Sequence, residues 1–290
     1  MKWNNGIRGY IELLVTSVIW GITYVLMKFS LSYLDPQQIA FSRFLISSIL
    51  FVPILVMIKE RYSRKEIMQL VFLAVSGVLL YQLLFIYGEK GLSAGNASFI
   101  VSLEPIFIAI LSIALGQERF SIILVLSLAV STLGLGILVQ PTEMKEAELV
   151  SMILVVLSAL SWAVYTILGK DLLKRHNALN VTGFVSLFGL LLLFPFLGGS
   201  SAAIFRIHST DLIISILFLG ILATFVGYIL WFDGLKYVRP TVAGTTLYIT
   251  PFITAAFAAI LIGEPMNLSM LVGGSLIVLG VAVYGIKRKS

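Results

Sequence analysis

Of 290 residues, 59% are hydrophobic and only 12% charged, with a mean hydropathy of +1.04, whereas soluble domains carry roughly 25% charged residues; the composition excludes a soluble domain and predicts an integral membrane protein. The formal charge of +6 does not point to nucleic acid, because the basic residues fall in short hydrophilic gaps between apolar stretches, where they act as topology signals. There is no cysteine, which removes disulfides and thiol chemistry; the two histidines, His176 and His208, fall in loops, so neither a metal centre nor a cofactor is expected.

In chain order, apolar stretches bounded by charge, Pro or Gly predict spans at 10–29, 36–58, 67–87, 93–115 and 121–139. A second five follow at 149–168, 179–197, 212–232, 242–262 and 268–286. A spanning helix needs about 20 residues, so ten spans with short connections use almost the whole length. The polar stretch 140–148 separates five from five and predicts two halves, 1–140 and 149–290, joined by a linker at 141–148. Lys2 and Arg8 precede the first span in the manner of a signal peptide, but the apolar stretch is long and no A-x-A-like site follows, so it is read as a retained helix.

Ten spans put the N-terminus, the C-terminus and every even-to-odd loop on one membrane face. That face receives 15 of the 20 basic residues, among them Arg8, Lys59, Arg61, Lys174, Arg175 and Arg239. The opposite face or its helix ends hold Lys28, Lys90, Lys145 and Arg206, and Arg43 lies within a span. By the positive-inside rule, both termini are expected in the cytoplasm of a multi-pass cell-membrane protein.

The halves repeat each other at nearly constant spacing. Trp20, Lys28 and Pro53 match Trp162, Lys170 and Pro195 at an offset of 142. Gly77 and Gly91 match Gly220 and Gly234 at 143, and Pro105, Glu118 and Gly134 match Pro251, Glu264 and Gly280 at 146. Five spans per half is odd, so the second copy must enter the membrane from the opposite face. This predicts an all-α fold of ten transmembrane helices, built as two inverted five-helix repeats around a central cavity, the plan on which many secondary transporters exchange the conformations of their halves.

On these landmarks the chain resembles the ten-helix drug/metabolite transporter superfamily, EamA-like group, over nearly its full length. The residues that carry the resemblance are Trp20 with Lys28, Arg43-Phe44, the Gly-Leu pairs after spans 3 and 8, and above all the segments 105–118 (PIFIAILSIALGQE) and 251–264 (PFITAAFAAILIGE). The resemblance implies export or exchange of amino acids, related metabolites or toxic compounds through a cavity between the halves.

Several residues inside the spans are candidates for chemistry. Glu104 lies near the middle of span 4, where an ionised carboxylate costs about 2.5 kcal/mol or more unless paired, hydrated or protonated. It reads either as a proton-coupling or substrate-binding group, or as a protonated carboxyl bonded to a neighbouring helix where Pro105 frees a carbonyl. Its counterpart is Thr250, so any proton coupling would be asymmetric. Arg43 is positioned to pair with Glu104 or attract an anionic substrate, but the favoured expectation is that its guanidinium snorkels outward. Lys28 and Lys170 are expected to anchor helix ends and complement their dipoles, with a gating role as the alternative, and Glu118 and Glu264 to cap the helix that follows each. Ser127 and Ser131 are spaced for close helix contact.

Trp20, Tyr24 and Lys28 recur along one stripe of span 1, and Trp162, with Tyr165 alongside, repeats the pattern in span 6. These, with Tyr81, Gln82 and Phe85 of span 3, Asn96 and Glu104 of span 4, Tyr228 of span 8 and Tyr248 of span 9, form the expected substrate-binding cavity. Aromatic rings with scattered hydroxyls and amides suit a small amphipathic molecule; the alternative for Trp and Tyr is an interfacial belt.

The reading is a secondary active transporter, an exporter or exchanger of small metabolites by alternating access, with a small-molecule substrate, protons as a candidate second cargo and the lipid bilayer as its surroundings. It is expected as a monomer or homodimer. No Walker A sequence appears, so coupling to ATP within the chain is not expected. A membrane-embedded enzyme would need a convergent acid, base and nucleophile, which Glu104 alone does not supply; a channel or sensor is the other alternative.

Overall fold

The computed structural model describes residues 5–58, 60–116, 119–139, 146–200 and 209–287, and every regular element in them is helical. The helices are α1 (Asn5–Ser30), α2 (Pro36–Met57), α3 (Arg64–Lys90), α4 (Ala94–Ala114), α5 (Ile122–Val139), α6 (Glu146–Leu172), α7 (Ala178–Leu197), α8 (Thr210–Tyr237), α9 (Pro240–Leu261) and α10 (Leu268–Lys287). Eight are long and apolar enough to cross a membrane, and α5 and α10 contain the shorter apolar segments Val125–Leu138 and Leu268–Gly280. Part of the polar stretch between the halves is helical, since Glu146 and Glu148 lie in the first turn of α6. Residues 140–145, with Lys145, lie outside the described residues, as do Lys2, Lys59, Glu118, Arg206 and His208.

Local sequence sets the ends. Ser63 and Glu66 cap α3 reciprocally, Ser63 N–H donating to Glu66 Oε2 at 2.9 Å and Glu66 N–H to Ser63 Oγ at 3.4 Å. Ser93 Oγ accepts from Asn96 N–H at 3.0 Å to start α4, and Asn177 Oδ1 from Leu179 N–H at 3.1 Å to start α7. A cap of this kind contributes about 1 kcal/mol. After α4 and α9 the chain turns through left-handed glycines, Gly116 (φ 68°) and Gly263 (φ 66°), a conformation that a Cβ would strain.

The packing is that of two inverted halves. Helix α1 lies on α8 and α9, and its counterpart α6 lies on α3 and α4; α2 pairs with α7, α4 with α9 and α5 with α10. Exchanging the halves reproduces the same set of contacts. The α5–α10 seam uses small residues: a Cβ on Gly280 would come within 2.5 Å of Ser131 Oγ, whose hydroxyl donates to the Ile277 carbonyl at 3.1 Å. On the membrane face that carries the N-terminus, the described loops between α2 and α3 and between α6 and α7 meet at His176, whose Nδ1 lies 3.0 Å from Glu60 Oε2 and whose Nε2 lies 3.2 Å from Glu66 Oε1. Tyr62 stacks on its ring at 4.1 Å.

Four helices depart from regular geometry at mid-depth, in equivalent pairs. Val75–Leu80 of α3 and Phe218–Val226 of α8 are π-helical. Helix α4 loosens at Ser102 and Leu103, before Glu104-Pro105, and α9 tightens into a 3-10 turn over Leu247–Ile249, before Thr250-Pro251. A proline at the start of each second segment has no N–H to give to the turn before it. Irregular backbone at membrane depth is tolerated where it is buried in protein or lines a cavity.

Candidate functional site

These irregular segments converge on a cavity of about 30 Å³ at the centre of the bundle, lined by residues from both halves. That volume holds about two waters, too little for a metabolite. Its wall consists of Trp20, Thr23, Tyr24 and Met27 of α1, Arg43 of α2, Tyr81, Gln82 and Phe85 of α3, Ser98, Val101, Ser102 and Glu104 of α4, Trp162 of α6, Tyr228 of α8, and Leu247 and Thr250 of α9.

Eight of the eleven cavity residues named from the sequence lie on that wall: Trp20, Tyr24, Tyr81, Gln82, Phe85, Glu104, Trp162 and Tyr228. The other three do not. Tyr165 is fully buried behind the wall, stacked on Phe232 at 4.9 Å and set against Trp162. Asn96 sits in the first turn of α4, where its backbone is taken up by the Ser93 cap, and Tyr248 is half-buried in the 3-10 turn of α9. An i, i+4 stripe places a residue on a helix face but not in register with the break in the neighbouring helix, and that register decides which rings reach the cavity.

Trp162 is the hub of the aromatic wall. Its ring centre lies 4.9 Å from Tyr81, 5.1 Å from Trp20, 5.5 Å from Tyr228 and 5.7 Å from Trp231, and such pairs contribute about 0.5–1.5 kcal/mol each beyond area burial. Trp162 therefore holds the wall together as well as facing the cavity. Trp20 Nε1 donates to the Ala223 carbonyl at 3.0 Å, inside the π-helical segment of α8, and Ser161 Oγ donates to the Ser76 carbonyl at 2.8 Å, inside that of α3. Each wide turn thus exposes a carbonyl that the first helix of the other half satisfies.

Arg43 does not snorkel. It is 3% exposed, with Nε donating to Thr224 Oγ1 at 2.8 Å and Nη1 to Gln82 Oε1 at 2.9 Å. Gln82 Nε2 then donates to the Tyr228 hydroxyl at 2.8 Å. A guanidinium deep in a span is held inside when interior acceptors meet its donors; these lie on α3 and α8, far away in sequence. Ser42 and Ser47, buried beside Arg43 on α2, are the one local hint that this face of the helix points inward.

Glu104 is 3% exposed, and its Oε1 has no hydrogen-bond partner among the described residues. No ion pair with Arg43 forms among them, although both line the cavity. Its counterpart Thr250 donates to the Ser17 carbonyl at 3.2 Å, and Thr254 donates to the Gly21 carbonyl at 2.8 Å, joining α9 to α1. The equivalent contact of α4 with α6 is apolar around Ile108, Ala163 and Ile167. Glu104 thus occupies a position where its pseudo-symmetry mate is bonded across the seam.

Two lysines close the ends. Lys28 Nζ donates to the carbonyls of Glu89 (3.1 Å), Lys90 (3.2 Å) and Leu92 at the end of α3. Lys170 Nζ donates to those of Leu235 (2.7 Å) and Val238 at the end of α8, on the opposite face of the bundle. Both complement the C-terminal dipole of a neighbouring helix in place of their own. Glu264 likewise caps a helix other than the next one, accepting from the Ala94 and Gly95 N–H groups of α4 at 2.9 and 3.4 Å.

Comparison with known proteins agrees with this architecture. The EamA-like transporter family matches residues 7–140 and 149–286. An uncharacterized transporter of Archaeoglobus fulgidus is 32% identical over 97% of this chain and 100% of its own length. A probable terminal-alkyne amino-acid exporter of Streptantibioticus cattleyicolor is 26% identical, covering 93% of this chain and 90% of its own. A crystal structure at 16% identity superposes with a TM-score of 0.73 over 97% of both chains, which supports the fold. With one family match in each inverted half and a cavity between them, the chain belongs to the EamA-like transporter family and is a membrane transporter, not an enzyme.

Proposed function

We propose that this transporter moves small amphipathic metabolites, amino acids among them, out of the cell or in exchange, by alternating access through the central cavity. The observation that carries the reading is one central cavity between inverted halves, with Lys28 and Lys170 tying matching helix ends on opposite faces of the bundle. Releasing one clamp while the other holds would open the cavity to one face at a time. A cavity of about 30 Å³ holds about two waters, so cargo enters only as the helices part. The wall suits an amphipathic molecule: rings supply contact area, and Arg43, Gln82, Tyr228 and Glu104 supply orienting polar groups. The Streptantibioticus relative, named as a probable terminal-alkyne amino-acid exporter, supports that cargo class. In this reading both termini are cytoplasmic, because Arg8, Lys170, Lys174, Arg175, Lys236 and Arg239 cluster on the terminal face. Glu104 is the proton-coupling carboxyl.

Proteoliposomes preloaded with a mixture of the twenty unlabelled amino acids and challenged with the same mixture in radiolabelled form test this. Saturable counterflow that needs internal amino acids is expected. Flux that rises linearly without saturation would favour a channel, and no flux above empty liposomes would remove amino acids as the cargo.

A further inference from the structure

We propose that Glu89 is a second proton-carrying carboxyl of the transport cycle, set between Glu104 and the membrane face that carries Lys28 and Lys90. The proposal rests on the reading of Glu104 as the coupling group and adds the residue through which its proton travels.

Glu89 is fully buried near the end of α3, and neither of its carboxylate oxygens has a hydrogen-bond partner among the described residues. It stands one helical turn beyond Phe85 on the same face of α3, and Phe85 lines the cavity. Phe85 meets Tyr24 edge-on at 5.1 Å, and Tyr24 lies within electrostatic range of both Glu89 and Glu104. The cavity wall therefore holds one acid, Glu104, and α3 buries a second, Glu89, one turn beyond the wall residue Phe85.

The other groups that face Glu89 are Lys28 of α1, Arg43 of α2 and Glu264 of the α9–α10 connection. None forms an ion pair with it among the described residues. The Lys28 ammonium is committed to backbone carbonyls, one of them Glu89's own. Glu264 is committed to the N–H groups that open α4, and Arg43 to Thr224 and Gln82.

Pseudo-symmetry shows that packing does not require an acid here. At the same offset that relates Gly91 to Gly234, Glu89 corresponds to Phe232, which is fully buried and stacks on Tyr165 with an interplanar angle of 20°. One half fills the position with a phenyl ring and the other with an unpartnered carboxyl. Buried polar groups without partners are rare because they cost stability, and those found inside a membrane mark ion or proton pathways.

The step balances simply. A proton arriving from the Lys28 face binds the Glu89 carboxylate. Once the parting helices admit water, the neutral acid releases the proton to a water chain that passes Tyr24 and delivers it to ionised Glu104. Glu89 is left ionised beside Lys28, Glu104 is left neutral, and Tyr24 is unchanged.

Dicyclohexylcarbodiimide, which adds to protonated carboxyls in apolar surroundings, tests this on purified protein without any cargo, with the modified residue located by mass spectrometry. Glu89 is expected to be modified in the wild type and in Glu104→Gln alike, the rate falling about tenfold per pH unit above its midpoint. In proteoliposomes given the radiolabelled amino-acid mixture, Glu89→Gln is expected to lose pH-gradient-driven flux while keeping counterflow, as Glu104→Gln does. A Glu89 that stays unmodified at every pH while Glu104 reacts would overturn the proposal, and so would full pH-driven flux in Glu89→Gln. If Glu104→Gln alone keeps that flux, the reading of Glu104 fails and the two-acid path fails with it, even though Glu89 is still modified. If no variant transports amino acids, modification of Glu89 still decides whether it carries a proton, and only the cargo assignment is lost.

Discussion

The two faces of the bundle are built alike and chemically differ. At each, a lysine from the first helix of a half closes the last carbonyls of the third helix of the same half: Lys28 on α3, Lys170 on α8. Beside the Lys28 end lie Glu89, Arg43 and Gln82; the corresponding positions of the other half hold Phe232, Val185 and Phe225. Glu104 likewise occupies a position held in the other half by Thr250, which is bonded to α1. The repeat supplies the scaffold, and the departures from it place the charge. Polar groups that satisfy each other in one half and stay unpartnered in the other are where chemistry is to be sought.

Breaking the asymmetry at Glu104 should have the largest effect. Glu104→Gln keeps the volume and most hydrogen bonds but removes the titrating proton, so flux driven by a pH gradient should fall to background while counterflow persists. Full pH dependence in this variant would leave the transporter assignment standing without its proposed coupling site.

Arg43→Met comes next. It leaves Gln82 Oε1 and Thr224 Oγ1 without their shared donor, and hydrogen bonds to a charged group contribute about 1.5–3 kcal/mol. A lower unfolding midpoint in detergent, together with weaker binding in a thermal-shift titration against amino acids, is expected. Arg43→Lys should recover little, because one ammonium does not reproduce the fork that reaches both acceptors.

The aromatic wall sharpens the comparison between cavity and scaffold. Tyr81 lines the cavity and is half-buried, whereas Trp162 is 1% exposed and touches five rings. Tyr81→Ala should weaken ligand binding more than folding. Trp162→Ala should do both, with a stability loss of about 3–5 kcal/mol. The smallest functional effect is expected far from the cavity: Gly280→Ala, whose Cβ would press on Ser131 Oγ at 2.5 Å, should cost about 1–3 kcal/mol of stability and leave cargo affinity unchanged.

How much of this was legible in the sequence follows from the range of each interaction. Helix number, order and the division into inverted halves were open to reading because hydropathy over about 20 residues and the recurrence of Trp20 with Lys28 as Trp162 with Lys170 are local patterns. Much of the cavity wall followed from the same stripes. The roles of Arg43, Lys28 and Glu264 were not legible, since each is fixed by a partner that fold symmetry brings from another helix: Arg43 by Thr224, Lys28 by the Glu89 carbonyl, Glu264 by the start of α4. The π-helical turns of α3 and α8 have no compositional mark; Val75–Leu80 reads as ordinary apolar helix, and only its packed neighbours show the wide turn.

The central claim, that two matched clamps open one cavity to opposite faces in turn, is tested most directly by accessibility, since the chain has no native cysteine. Ser102 lines the cavity, and Ser102→Cys can be probed in oriented vesicles with a membrane-impermeant maleimide from each side. Adding Lys28→Met should raise its labelling from the face that carries Lys28, and adding Lys170→Met should raise it from the face that carries the N-terminus. Labelling that comes from one and the same face whichever lysine is removed would contradict the account.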